Sequence, residues 1–129
     1  MVRHYNPPAL GAPAAPYSHC AEINPGARYL FCAGQTGRGQ DGEALVGIEA
    51  QAERVFERLR IILEEAGMGP ENVVKMTQYV VDPDEIPIVL AARAHMLGEI
   101  KPPDTLLCIA RLAHPDLRLE VELVAAAEE

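Results

Sequence analysis

Long apolar runs, clustered cations and paired cysteines are missing from this 129-residue chain. No stretch approaches the roughly 18 consecutive apolar residues that a membrane span needs. The N-terminus, Met1-Val2-Arg3-His4-Tyr5-Asn6-Pro7-Pro8, lacks the apolar core of a signal peptide. Lys and Arg total 11 against 19 Asp and Glu, a net charge of −8 with no basic run. Such a chain repels phosphate backbones and anionic membranes, which disfavours nucleic-acid and membrane partners. The three cysteines, Cys20, Cys32 and Cys108, are widely spaced and form no CxxC pair. They read as reduced thiols of a cytoplasmic protein rather than a disulfide framework. The histidines His4, His19, His95 and His114 show no HxH or HxxxH spacing, so no metal site is expected. There is no internal repeat and no low-complexity run.

What is present is ordinary globular composition, 49% apolar and 23% charged, at a length suited to one domain spanning 1–129. Pro7, Pro8, Pro13 and Pro16 mark residues 1–17 as an extended N-terminal arm. Strands are expected over His19–Ile23 and Tyr29–Ala33, then a glycine-rich loop over Gly34–Gly47. Over Ile48–Ala66, apolar residues recur at three- and four-residue spacing and predict an amphipathic helix that Gly67 and Pro70 end. Val73–Val81 reads as a strand with Val74, Met76 and Val80 on one side. Asp82–Leu97 reads as a second helix, with Asp84 as its cap and Pro87 in its first turn. Thr105–Ala110 and Arg118–Ala126 are the last strands.

The resulting order, β-β-α-β-α-β-β, is an α+β class in which two helices cover one face of a mixed sheet. Tyr29–Ala33 and Leu106–Ala110 are nevertheless apolar on both faces, and such strands expect cover on both. A second copy of the chain is the simplest cover for the other face.

Few residues carry an obvious chemistry. Gly34-Gln35-Thr36-Gly37-Arg38-Gly39 fits neither the P-loop nor the dinucleotide-binding spacing. Gly37 and Gly39 read as turn residues with positive φ, while Gly34, at a strand end, allows close approach to the backbone. Cys108 in an apolar strand reads as a buried, inert thiol. Period two puts Leu119, Val121 and Leu123 on the helix-covered face and Glu120 and Glu122 on the other. There a carboxylate is a proton-transfer group, the partner of Arg111 or Arg118, or simply exposed near the strand end.

Four segments in series resemble the RidA family, also called YjgF or the reactive-intermediate deaminases. They are Ala14-Ala15-Pro16-Tyr17-Ser18-His19, Leu30-Phe31-Cys32-Ala33-Gly34-Gln35, Ala66-Gly67 followed by Asn72-Val73-Val74-Lys75-Met76-Thr77, and Leu119-Glu120-Val121-Glu122-Leu123-Val124-Ala125. The resemblance implies a chorismate-mutase-like fold and a homotrimer that binds small molecules in clefts between subunits. It also implies cofactor-free hydrolysis of enamines or imines with release of ammonia. In such deaminases the glutamate matching Glu120 handles the attacking water. Tyr17, Gly34 and Thr105 match pocket residues, and Ala33 replaces the usual serine. An arginine that clamps the substrate carboxylate opens the strand, but Pro102-Pro103-Asp104-Thr105 puts Asp104 there. Asp104 would repel a substrate carboxylate by about 4 kcal/mol at about 4 Å and an effective dielectric near 20. Two functions follow from this reversal of sign. One is an imine or enamine deaminase with altered substrate choice; the other is a non-catalytic small-molecule-binding or regulatory trimer. Some relatives of this kind are described as ribonucleases, a role that the −8 charge disfavours.

Overall fold

A computed structural model describes residues 2–128. The elements are β1 (Val2–Tyr5), β2 (Cys20–Ile23), β3 (Arg28–Thr36), α1 (Ile48–Glu65), β4 (Val73–Val80), α2 (Ile86–Leu97), β5 (Asp104–Cys108) and β6 (Leu119–Ala127). The four-stranded sheet has the order β3-β6-β4-β5; β4 and β5 run parallel and the other neighbours antiparallel. The N-terminal segment expected as an arm begins with β1, which pairs antiparallel with β2 from Val2↔Ile23 to Tyr5↔Cys20. Its prolines lie beyond Tyr5, which leaves these N–H groups free for the ladder.

Both helices lie over one face of the four-stranded sheet. The stripe of α1, with Ile48, Ala52, Val55, Phe56, Leu59 and Leu63 buried, packs on Met76, Val80, Leu119, Val121 and Leu123. Gly67 ends α1 with φ +70°, where a side chain would be strained. Before α2 the chain makes a short 3₁₀ turn over Pro83–Glu85, capped by Asp82 rather than Asp84: the Asp82 carboxylate accepts from the Asp84 N–H at 2.9 Å. Pro83 holds Asp82 extended and displaces the expected start of the helix.

Two bulges alter the expected register. Pairing shifts between Val73 and Lys75, so Val73 is buried and Val74 is not; an inserted residue resets the side-to-side alternation. A second bulge, between Cys32 and Gln35, carries β3 on to Thr36 instead of stopping at Ala33. Gly37 and Gly39 do not adopt positive φ. Gly37 is needed for space, since a Cβ there would overlap Gln51.

The sheet's other face is uncovered in the single chain. Phe31 is 76% exposed, and Tyr29 and Leu107 are also exposed. Cys108, at the end of edge strand β5, is exposed rather than buried. Among the described residues no helix is long and apolar enough to cross a membrane.

Candidate functional site

A cavity of about 440 Å³ opens between the N-terminal segment, α2 and the start of β5. Ala15, Pro16, Ile86, Leu90 and Leu106 give it apolar walls, and Tyr17, Gln78, Arg93, Asp104 and Thr105 supply polar groups. Three residues expected at a pocket, Tyr17, Asp104 and Thr105, therefore meet here. The pairing Met76↔Asp104 places Asp104 in line with the helix-covered row of β4. Its side chain is only 7% exposed and stands 3.5 Å from the guanidinium of Arg93. Gln78 Nε2 donates to the same carboxylate oxygen at 2.6 Å.

Asp104 is thus not the unpaired anion that its place in the sequence suggested. Burial pushes its carboxyl above the ordinary range, and the Arg93 charge and the Gln78 hydrogen bond oppose that rise. Burial likewise lowers the Arg93 guanidinium from its ordinary value, against the pull of Asp104. Arg93 also ties the chain together, donating to the carbonyls of Pro16 at 3.0 Å and Ile100 at 2.8 Å.

Sequence reasoning missed Gln78 and Arg93. The signal was a polar residue inside a buried row: Gln78 between Met76 and Val80 at period two, Arg93 between Val89 and Leu97 at four-residue steps.

Glu120, Ala33 and Gly34 lie elsewhere. Glu120 is on β6, on the uncovered face and two strands from β5. Its carboxylate lies over Gly34, where a Cβ would overlap it. What approaches the Gly34 backbone is therefore a side chain of the same protein, at the bulge that also contains Ala33. Nearby on this face Tyr79 donates to Glu122 at 3.0 Å, which raises the Tyr79 phenol above its ordinary value. Lys75 donates to Thr105 Oγ1 at 2.8 Å. The cationic partners considered for Glu120 and Glu122 are engaged elsewhere. Arg118 pairs with Glu85 at 2.7 Å, and Arg111 donates to the carbonyls of Leu112 and Ala113. Among the described residues no three His, Cys, Asp or Glu side chains gather as metal ligands.

Two helices on one face of a mixed sheet, an open opposite face and a cavity at the β5 edge define a chorismate-mutase-like α+β protein. A family model described as "Endoribonuclease L-PSP" matches residues 8–127, and the chain belongs to this family, that of the Rid/YjgF proteins. A RutC family protein of Pyrococcus abyssi is 33% identical over 118 residues, 90% of each chain. One from Aquifex aeolicus is 37% identical over 82 residues, 63% of each. Among solved structures, the Rid family protein YyfB of Yersinia pestis superposes with a TM-score of 0.84 at 30% identity, covering 98% of each chain. RidA of the Antarctic bacterium Psychrobacter superposes with a TM-score of 0.72 at 26% identity, covering 90% of this chain and 92% of that one.

Proposed function

We propose that the chain acts as a single RidA-type domain, a cofactor-free hydrolase of enamines or imines whose substrates lack the usual carboxylate. One observation carries this reading: the guanidinium in the cavity wall, Arg93, is already matched by the buried carboxylate of Asp104. The pair is close to neutral, so a carboxylate-bearing substrate finds no free cation in that wall, and only the cost of its own desolvation remains.

In the proposed reaction Glu120 takes a proton from water as the oxygen attacks the carbon of the C=N bond. The resulting carbinolamine receives that proton on nitrogen. Glu120 then takes the hydroxyl proton and returns it to the nitrogen as the C–N bond breaks, which releases ammonia and leaves a carbonyl. In one chain Glu120 and the cavity lie on different parts of the sheet. The exposed Tyr29, Phe31 and Leu107 on the Glu120 face support assembly as a homotrimer, with the small-molecule ligand in a cleft where a neighbouring copy completes the site. Cysteines without a pairing pattern support a cytoplasmic setting. The family's endoribonuclease description gains no support from a chain of charge −8.

The test is ammonia release from 2-iminopropionate and from imines without a carboxylate. The expected result is accelerated release from the uncharged imines and little from 2-iminopropionate. Glu120→Gln should cost about 10²–10⁴-fold in rate, and Glu122→Gln far less. Efficient turnover of 2-iminopropionate, or a fully active Glu120→Gln protein, would overturn the reading. The missing arginine also favours a non-catalytic binding or regulatory trimer; ligand binding without ammonia release from any imine would select it. Light scattering should give three times the 14.0 kDa chain mass, and a stable monomer would remove the cleft.

A further inference from the structure

What the cavity presents to a ligand is hydrocarbon. Gln78 is 1% and Arg93 3% exposed, and the Asp104 side chain 7%. Their polar ends meet one another, Arg93 Nη1 and Gln78 Nε2 on Asp104 Oδ2, so these groups are shielded and matched among themselves. Ile86 and Leu90 of α2 and Leu106 of β5 are only half-buried, while Ala15 and Pro16 of the N-terminal segment are exposed, and all five line the cavity. Val89 and Leu97 on the same helix are by contrast fully packed in the core. The N-terminal wall is tied down: Arg93 donates to the Pro16 carbonyl, and the Ser18 N–H donates to the Pro102 carbonyl. An apolar cavity of about 150 Å³ already holds one benzene; this one, at about 440 Å³, has room for more. Thr105 marks its polar end. It lines the cavity, accepts from Lys75 at 2.8 Å, and shares with Thr77 the row of Glu122 on the sheet's open face.

We propose that this cavity is a hydrocarbon subsite, which makes the substrate an imine or enamine with an uncharged aliphatic or aryl substituent. The substituent fills the space between Ala15, Pro16, Ile86, Leu90 and Leu106, and the C=N end lies at Thr105, toward the face that carries Glu120. A carboxylate or ammonium tail would lose its hydration against these side chains and find no unmatched charge among the described residues of the cavity. A side chain from a second copy is not the occupant. The apolar groups offered to another copy, Tyr29, Phe31 and Leu107, stand on the open face, whereas Ile86, Leu90 and the Asp104 row belong to the helix side. The proposal deepens the deaminase reading by naming the substituent, and it rests on that reading for the reaction alone.

The linear alcohols from 1-propanol to 1-hexanol, which have no C=N bond, test it by ligand-observed NMR titration of the intact protein. Affinity should rise up to about fourfold for each added methylene. The diol 1,6-hexanediol matches 1-hexanol in length but carries a hydroxyl into the apolar end, and it should bind about tenfold more weakly. Leu90→Asn should weaken 1-hexanol about fivefold or more. Ala15→Trp, at an exposed position, should fill the cavity and abolish saturable binding. Ile61→Ser, at an exposed site on α1, controls for surface adhesion and should leave affinity unchanged. Melting curves check that the variants fold. An affinity that does not rise along the series overturns the proposal. So does a diol that binds as tightly as 1-hexanol, or 1-hexanol binding that survives Ala15→Trp in the folded protein. Chain-length dependence without ammonia release from any imine would retain the subsite and sink the deaminase reading. Ammonia release without chain-length dependence would do the reverse.

Discussion

Gln51 and Gln78 are both buried glutamines, each 1% exposed, and each packs where helix meets sheet, yet they are used in opposite ways. Gln51, in the first turn of α1, spends its side chain on the backbone. Its Nε2 donates to the carbonyls of Leu45 and Asp116, and its Oε1 accepts from the N–H of Arg118, each at 2.8 Å. It thereby ties the loop after β3 and the loop before β6 to the helix. Gln78 bonds only another side chain and leaves its oxygen free, beside Arg93 and Asp104, which each leave an atom free as well. A saturated buried amide behaves as a structural rivet, because backbone groups in loops have no other partner. An unsaturated one holds no backbone in place and costs stability.

The sharpest way to break this contrast is to make the same change at both positions. Gln51→Leu orphans two carbonyls and one N–H, each costing about 1–3 kcal/mol. A loss of about 3 kcal/mol or more is expected in urea denaturation. Gly37→Ala strikes the same rivet from the other side, since its Cβ would overlap the Gln51 stem. Overpacking of that kind costs about 1–3 kcal/mol, read as a lower melting temperature.

Asp104→Asn tests the unsaturated wall through pH. The folded carboxyl of Asp104 titrates above its ordinary 3.8, so the native state holds the proton more tightly than the unfolded chain. Its contribution relative to asparagine is complete below pH 3.8 and is lost as pH rises through the raised value. The stability of the wild type minus that of Asp104→Asn should therefore fall with rising pH in that window. A rise would mean that Arg93 outweighs burial at this carboxyl. The smallest effect is expected from Gln78→Leu, which removes one hydrogen bond and one unpaired oxygen together. It should change stability by less than about 1 kcal/mol. A loss as large as that of Gln51→Leu would erase the distinction.

Period and spacing made much of the fold legible. The stripe of α1 and the alternation Leu119-Val121-Leu123 are local signals, and the structure buries those residues. The same alternation put Glu120 and Glu122 on the uncovered face, and the double-sided apolar character of Tyr29–Ala33 anticipated the exposed Phe31. Bulges were not legible, because an inserted residue leaves no mark in composition. They moved Val74 out of its expected row and drew β3 out to Thr36. Strand β1 was hidden by the prolines that follow it.

Of the candidate site, the residue types were readable and their partnerships were not. Asp104 stood out as a reversal of sign, and from sequence alone it looked like a free anion. Its ion-pair partner is Arg93, eleven positions earlier on another element, and Gln78 completes the cluster. Sequence by itself determined which faces are apolar, where the helices run and which side Glu120 takes, because these follow from side-chain period along one element. Tertiary structure alone decided that Asp104 is buried and matched, that Gly34 yields its space to Glu120, and which polar atoms remain unpaired. Burial and hydrogen-bond saturation depend on what other segments bring within about 3 Å, and no local pattern encodes that distance.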